Sequence, residues 1–400
     1  MKKYRIREVS ILKKIRFENA LIWTPEGYLR GGFSVHGSRF ANCFKDESEN
    51  DRATAENDPK AEIRDLQGRK VLPGLIDIHI HGCAGADFSD GTYDSLKRIS
   101  KALAKEGVTS FTPASMTLPY ERLAKAYAVA GKFREEEEMS GSGARLMGIN
   151  MEGPWFSMKR KGAQNAAWLR KPDFGAFYEL YRESGEIIRI ADVAPELPGA
   201  ESFAKKASEY CVVSAAHTDS DYLTAKSFFE AGASHLTHLF NAMPPFLHRD
   251  PGVIGAAMDD PKVTAELICD GLHVHPSAVR AAFRMFPGRI CLISDALRCA
   301  MMPEGVYELG GQQVFLKDGI ARLANGTIAG SATNLFEGLR RAIAFGISET
   351  EAVCAATVNP AKVIGAESEI GTIEDGKLSD FVICSNELKA EEVYVGGCRV

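Results

Sequence analysis

From residue 71 onward, short apolar runs alternate with stretches in which apolar residues recur at helical spacing. A run over 71–80 is followed by an amphipathic stretch at 95–106, and a run over 108–111 by another at 120–135. Further runs occupy 146–150, 187–191, 212–215, 235–237, 263–268 and 290–294. Runs this short and this apolar read as buried strands, and their alternation with helices predicts βα units and a parallel sheet. About eight units over some 290 residues fit an elaborated (β/α)₈ TIM-type barrel.

The two ends read differently. Strand-like runs at 20–23 and 32–36 lead into a polar stretch at 45–65, expected to be an exposed loop or hairpin extension that serves solvation. After Gly365 a turn at 371–376 precedes strand-like runs at 380–384 and 393–395. The expectation is an α/β protein: a barrel over 73–365, and a small β-sandwich domain made by 1–72 and 366–400 together.

Composition narrows the classes of function. The net charge is −5 in 400 residues and Lys and Arg form no long basic blocks, which argues against a nucleic-acid partner. No segment reaches membrane-spanning length, and residues 1–16 lack the apolar stretch of a signal peptide. The nine cysteines include no CxxC pair, which argues against a thiolate zinc site or a disulfide framework; a reducing cytoplasm is expected.

Residues able to bind metal cluster just after the apolar runs, where a barrel presents its active face. His79 and His81 sit at alternate positions at the end of the first run, so both imidazoles can face one site. Glu152, His217, His238 and Asp295 follow four other runs. An HxH alone is a weak motif, and each residue singly reads equally as a hydrogen-bonded polar group near a strand end. Their shared placement favours a metal site.

The segments 72–77 (Leu-Pro-Gly-Leu-Ile-Asp), Glu152-Gly153-Pro154, His217-Thr218, 238–243 (His-Leu-Phe-Asn-Ala-Met), 270–273 (Asp-Gly-Leu-His), Ser294-Asp295-Ala296 and Gly330-Ser331-Ala332 resemble, in this order, the N-acetylglucosamine-6-phosphate deacetylases of the amidohydrolase superfamily. Asn359-Pro360-Ala361 and Gly371-Thr372-Ile373 through Asp380 resemble that family's closing segment. The resemblance implies Glu152, His217 and His238 as ligands of a main ion, with His79, His81 and Asp295 able to form a second position bridged by Glu152. It implies a divalent cofactor, Zn²⁺ first and Fe²⁺ second, one or two ions, with manganese and cobalt also compatible with such ligands. Asp295 would be the general base and acid. Asn241, Ala242, Arg249 and His273 would contact the amino-sugar phosphate substrate, one of the latter two across a homodimer interface.

Gln164 stands where some family members carry a His that hydrogen-bonds the substrate carbonyl; an amide can donate but cannot become cationic. Three rivals stay open: the same reaction on the galactosamine epimer, another amidohydrolase reaction, and, more remotely, a non-catalytic barrel scaffold.

Overall fold

The computed structural model describes residues 14–44, 61–137 and 142–400. Leu75–Ile80, Val108–Pro113 and Arg145–Leu146 pair in parallel. Ile149–Trp155, Ile188–Val193, Val212–Ala215, His235–Leu236, Thr264–Ile268 and Ile290–Ile293 form a second parallel series in that order. A parallel bridge between Ala114 and Asn150 joins the two series. At the other side the Asp295 N–H donates to the His79 carbonyl at 2.9 Å, so the end of the last strand lies beside the first.

Helices connect these strands because each presents one apolar stripe to them. Tyr93–Lys105 starts at Thr92, whose side chain accepts the Ser95 N–H, and buries Leu96, Ile99, Leu103 and Ala104. The strands are covered on both faces: all six residues of Leu75–Ile80 are buried.

The apolar run at 71–80 is two strands in different sheets. Lys70–Pro73 pairs antiparallel with Phe381–Cys384, whereas Leu75–Ile80 joins the parallel series, with the break at Gly74. Strands from both chain ends thus share one sheet, ordered Cys398–Arg399, Ala390–Val395, Phe381–Cys384, Lys70–Pro73, Lys14–Thr24, Gly27–His36, Arg39–Ala41. Its core is aromatic: Phe381 stacks on Tyr394 with centroids 4.4 Å apart and meets Phe17 and Phe33 edge-on.

A further expectation changes, and one sheet is added. Residues 45–60 of the polar stretch lie outside the described residues, but its end, Ala61–Asp65, is a strand parallel to Lys14–Thr24 rather than a loop. Edge pairing holds it, with Arg64 bound to Glu392 at 3.0 Å and to the Tyr394 hydroxyl, contacts made by residues more than 300 positions away. Between the last parallel strand and Leu335–Ala344, the chain builds a four-stranded antiparallel sheet that the apolar runs did not announce: Gly305–Leu309, Gln312–Lys317, Ile320–Leu323 and Ile328–Gly330. Gln312–Lys317 and Ile320–Leu323 bury only alternate residues, and Gly305–Leu309 and Ile328–Gly330 bury only their last, so they lack long apolar runs.

Candidate metal centre

Six side chains converge from five places along the parallel strands. His79 belongs to Leu75–Ile80 and His81 directly follows it. Glu152 lies inside Ile149–Trp155 rather than after its strand, because Arg145–Leu146 pairs separately and the next strand starts at Ile149. His217, His238 and Asp295 each sit two residues beyond a strand, with φ of +44°, +33° and +46°. A left-handed backbone at non-glycine residues is uncommon and marks positions held by their surroundings. Here it turns each side chain back over the strand ends.

Glu152 Oε1 lies 3.0 Å from His217 Nε2 and 3.4 Å from His238 Nε2, and these two nitrogens are 3.2 Å apart. Glu152 Oε2 is 3.3 Å from His81 Nε2, which is also 3.3 Å from Asp295 Oδ1. His79 Nε2 is 3.7 Å from both Glu152 Oε1 and Asp295 Oδ1 and has no hydrogen-bond partner. The donor atoms form two groups, Glu152/His217/His238 and His79/His81/Asp295, each compact enough to surround one ion.

The surrounding chain sets the imidazole tautomers. His217 Nδ1 donates to the Arg160 carbonyl at 2.9 Å and His81 Nδ1 to the Ala114 carbonyl at 3.2 Å; a carbonyl only accepts, so a proton sits on each Nδ1, and in the neutral ring Nε2 is the nitrogen that can take a metal. Burial pushes the Glu152 carboxyl up, but His81, His217 and His238 outweigh it and hold the group well below the usual carboxylate range. Burial lowers His217, which favours the neutral imidazole a metal needs.

The other residues singled out in the sequence fall around this centre. Gln164 is buried, and both ends of its amide are engaged: Oε1 accepts the Thr117 N–H at 2.7 Å and Nε2 donates to Glu152 Oε2 at 2.8 Å. Because a backbone N–H can only donate, the amide orientation is fixed. The Asn241 N–H donates to the His238 carbonyl at 2.9 Å, and the Ala242 carbonyl accepts the Thr218 N–H at 3.1 Å, which folds this turn against the strand ends bearing His217 and His238. Arg249 is exposed on the same loop, near exposed Phe246 and Leu247. His273 Nδ1 meets Asp270 Oδ2 at 2.7 Å; burial lowers its pKa, but Asp270 and then Asp295 raise it above the usual imidazole value.

The sequence did not single out Glu266, Asp192 or His235 as site residues, and all three are fully buried below the centre. A Glu inside the otherwise apolar Thr264–Ile268 strand was the available signal.

The amidohydrolase family model matches residues 70–400. The chain is 40% identical to the N-acetylglucosamine-6-phosphate deacetylase of Bacillus subtilis (strain 168) over 332 residues, 82% of this chain and 83% of the relative. It is 32% identical to the N-acetylgalactosamine-6-phosphate deacetylase of Escherichia coli O157:H7 over 337 residues, 84% of this chain and 89% of the relative. Among solved structures, a mutant N-acetyl-D-glucosamine-6-phosphate deacetylase from Mycobacterium smegmatis, in complex with N-acetyl-D-glucosamine-6-phosphate, superposes with a TM-score of 0.87 at 28% identity, covering 97% of this chain and 98% of that one.

Proposed function

The chain belongs to the amidohydrolase family, and from that membership we propose that it hydrolyses the acetamide of N-acetylglucosamine 6-phosphate to glucosamine 6-phosphate and acetate. The observation that carries this reading is the pair of buried His/carboxylate groups at the strand ends, in a chain 40% identical to a deacetylase of that name. The strand order, with its last member beside its first, supports a closed (β/α)₈ barrel over 73–365. The shared sheet of the chain ends supports a small β domain from 1–72 and 366–400.

The donor set fits divalent metal. Two Nε2 atoms facing each other at 3.2 Å and the orphaned Nε2 of His79 are costly to bury without a cation to share. Glu152, His217 and His238 would hold one ion, and His79, His81 and Asp295 a second, with Glu152 between them. Zinc suits these ligands best and iron second. A bound divalent ion supplies Lewis acidity to the amide carbonyl and acidifies water toward a pKa of about 7. Asp295 takes the proton of the attacking water and delivers it to the amine, which leaves poorly unless protonated. Asp270 holds His273 as a donor toward the sugar phosphate, Arg249 supplies a second cation, and the turn at Asn241 and Ala242 contacts the sugar. Gln164 acts on Glu152, so carbonyl polarisation rests on the metal.

Exposed Phe246 and Leu247 beside Arg249 support a homodimer in which this loop reaches a neighbouring site. All nine cysteines are free, which supports a reducing, cytoplasmic setting; no helix among the described residues is long and apolar enough to cross a membrane. The galactosamine epimer remains a second reading because the Escherichia coli relative that bears that name is 32% identical. Acetate release from the two epimeric N-acetylhexosamine 6-phosphates, with metal content measured in the same preparation, tests the proposal; no release from either rejects it. Arg249→Ala is expected to impair the phosphorylated substrate far more than unphosphorylated N-acetylglucosamine, and equal losses would remove its phosphate role.

A further inference from the structure

Beneath the candidate metal centre lies a carboxylate with no place in the reaction just described. Glu266, on Thr264–Ile268, is fully buried. Its Oε2 lies 2.9 Å from His79 Nδ1 and accepts the His238 N–H at 3.2 Å, while Oε1 lies 3.2 Å from His235 Nε2. His235 is itself tied to the Thr264 hydroxyl through Nδ1 at 2.6 Å. Every polar atom of this side chain therefore has a partner, and each partner is a histidine.

The arrangement treats the site histidines unequally. His81 and His217 rest their Nδ1 atoms on backbone carbonyls, which are neutral, whereas His79 rests on a carboxylate. Two lone pairs 2.9 Å apart repel unless a proton lies between them, so the carboxylate selects the Nδ1–H form of His79. The Asn150 amide nitrogen also approaches Nδ1, but at 3.4 Å, and it is shared with the Ile78 carbonyl at 3.3 Å. In the neutral ring, a proton on Nδ1 leaves the Nε2 of His79 bare toward Glu152 and Asp295, where that atom has no hydrogen-bond partner. A carboxylate behind an imidazole also makes the opposite nitrogen a stronger ligand.

Building on the metal-dependent reading above, we propose that Glu266 is a positioning residue: acting through His79, it sets the affinity of the ion position formed by His79, His81 and Asp295, and leaves that of Glu152, His217 and His238 unchanged. Glu266→Gln preserves size and an acceptor for the His238 N–H, and its amide N–H can face His235; what it removes is the negative charge behind His79.

The test titrates zinc against a competing chelator for the full-length wild type, Glu266→Gln, His79→Asn and the double variant, counting bound zinc per chain. Glu266→Gln is expected to weaken about 10- to 100-fold the same zinc that His79→Asn weakens, and to leave the other unaltered. In the His79→Asn background it is expected to add nothing. Equal weakening of both ions, unchanged retention in Glu266→Gln, or a further loss in the double variant would each overturn the assignment. A wild type that holds no zinc instead rejects the metal-dependent reading itself. Ring-¹⁵N spectra of the zinc-loaded wild type give a readout that needs no variant: a proton on His79 Nδ1 supports the proposal, and one on Nε2 overturns it.

Discussion

Asp295 and Gln164 show how a single side chain's neighbours decide its role. Asp295 Oδ1 faces both His79 and His81 at the edge of the centre, which suits a group that shuttles a proton. Asp295→Asn keeps the shape but cannot accept a proton, and kcat is expected to fall at least about 100-fold while KM moves less. A variant that keeps its metal and turns over within a few-fold of wild type would reject the role. For Gln164 the geometry separates two readings. Its amide is spent on Thr117 and Glu152, so Gln164→Ala is expected to lower zinc retention about tenfold. If instead retention holds and KM or kcat alone changes, Gln164 contacts the substrate.

Among the elements, the strand ends place the chemistry and a glycine separates the sheets. At Gly74 the chain passes from the sheet of the two ends into the parallel series, and its N–H donates to the Asp380 carbonyl at 2.9 Å. A Cβ there would fall inside the buried Thr109 side chain. Gly74→Ala is therefore expected to cost about 1–3 kcal/mol, read as a lower urea midpoint, because neither strand can shift without breaking its pairing. An unchanged midpoint would show that the junction yields. The antiparallel insertion returns to the opposite ends of the parallel strands, where the Ser331 hydroxyl donates to the Ser294 carbonyl at 2.5 Å next to Asp295.

Across the whole molecule, fully buried polar groups from five strands, Asp77 and His79 on the first and Asn150, Asp192, Ser214 and Glu266 on four others, gather at the centre and below it. Asp77 illustrates the cost. Burial pushes its carboxyl from 3.8 up to about 7, against the opposing pull of hydrogen bonds from Ser294 and His79. The folded state thus holds this proton more tightly than the unfolded chain. The stabilisation is complete below about pH 3.8 and is lost as pH rises through about 7. Compared with Asp77→Asn by urea unfolding, wild-type stability is expected to decline between about pH 4 and 7, with a constant difference above. A flat difference across that range would mean that Asp77 stays ionised in the fold.

The sequence by itself determined the βα alternation, since strands covered on both faces must be apolar throughout, and it singled out His79, His81, Glu152, His217, His238 and Asp295 as candidates, since each follows or sits within such a run. The tertiary structure alone decided what those residues face. Pairing split the 71–80 run between two sheets and made 61–65 a strand, because hydrogen-bond partners far away in sequence supply the reason. Half-buried strands at 305–330 carry too weak an apolar signal to stand out. The contacts of Gln164 and Glu266 were invisible for the same cause: an amide or carboxylate acquires its part from atoms brought to within about 3 Å of it, and no spacing along the chain records which atoms those will be.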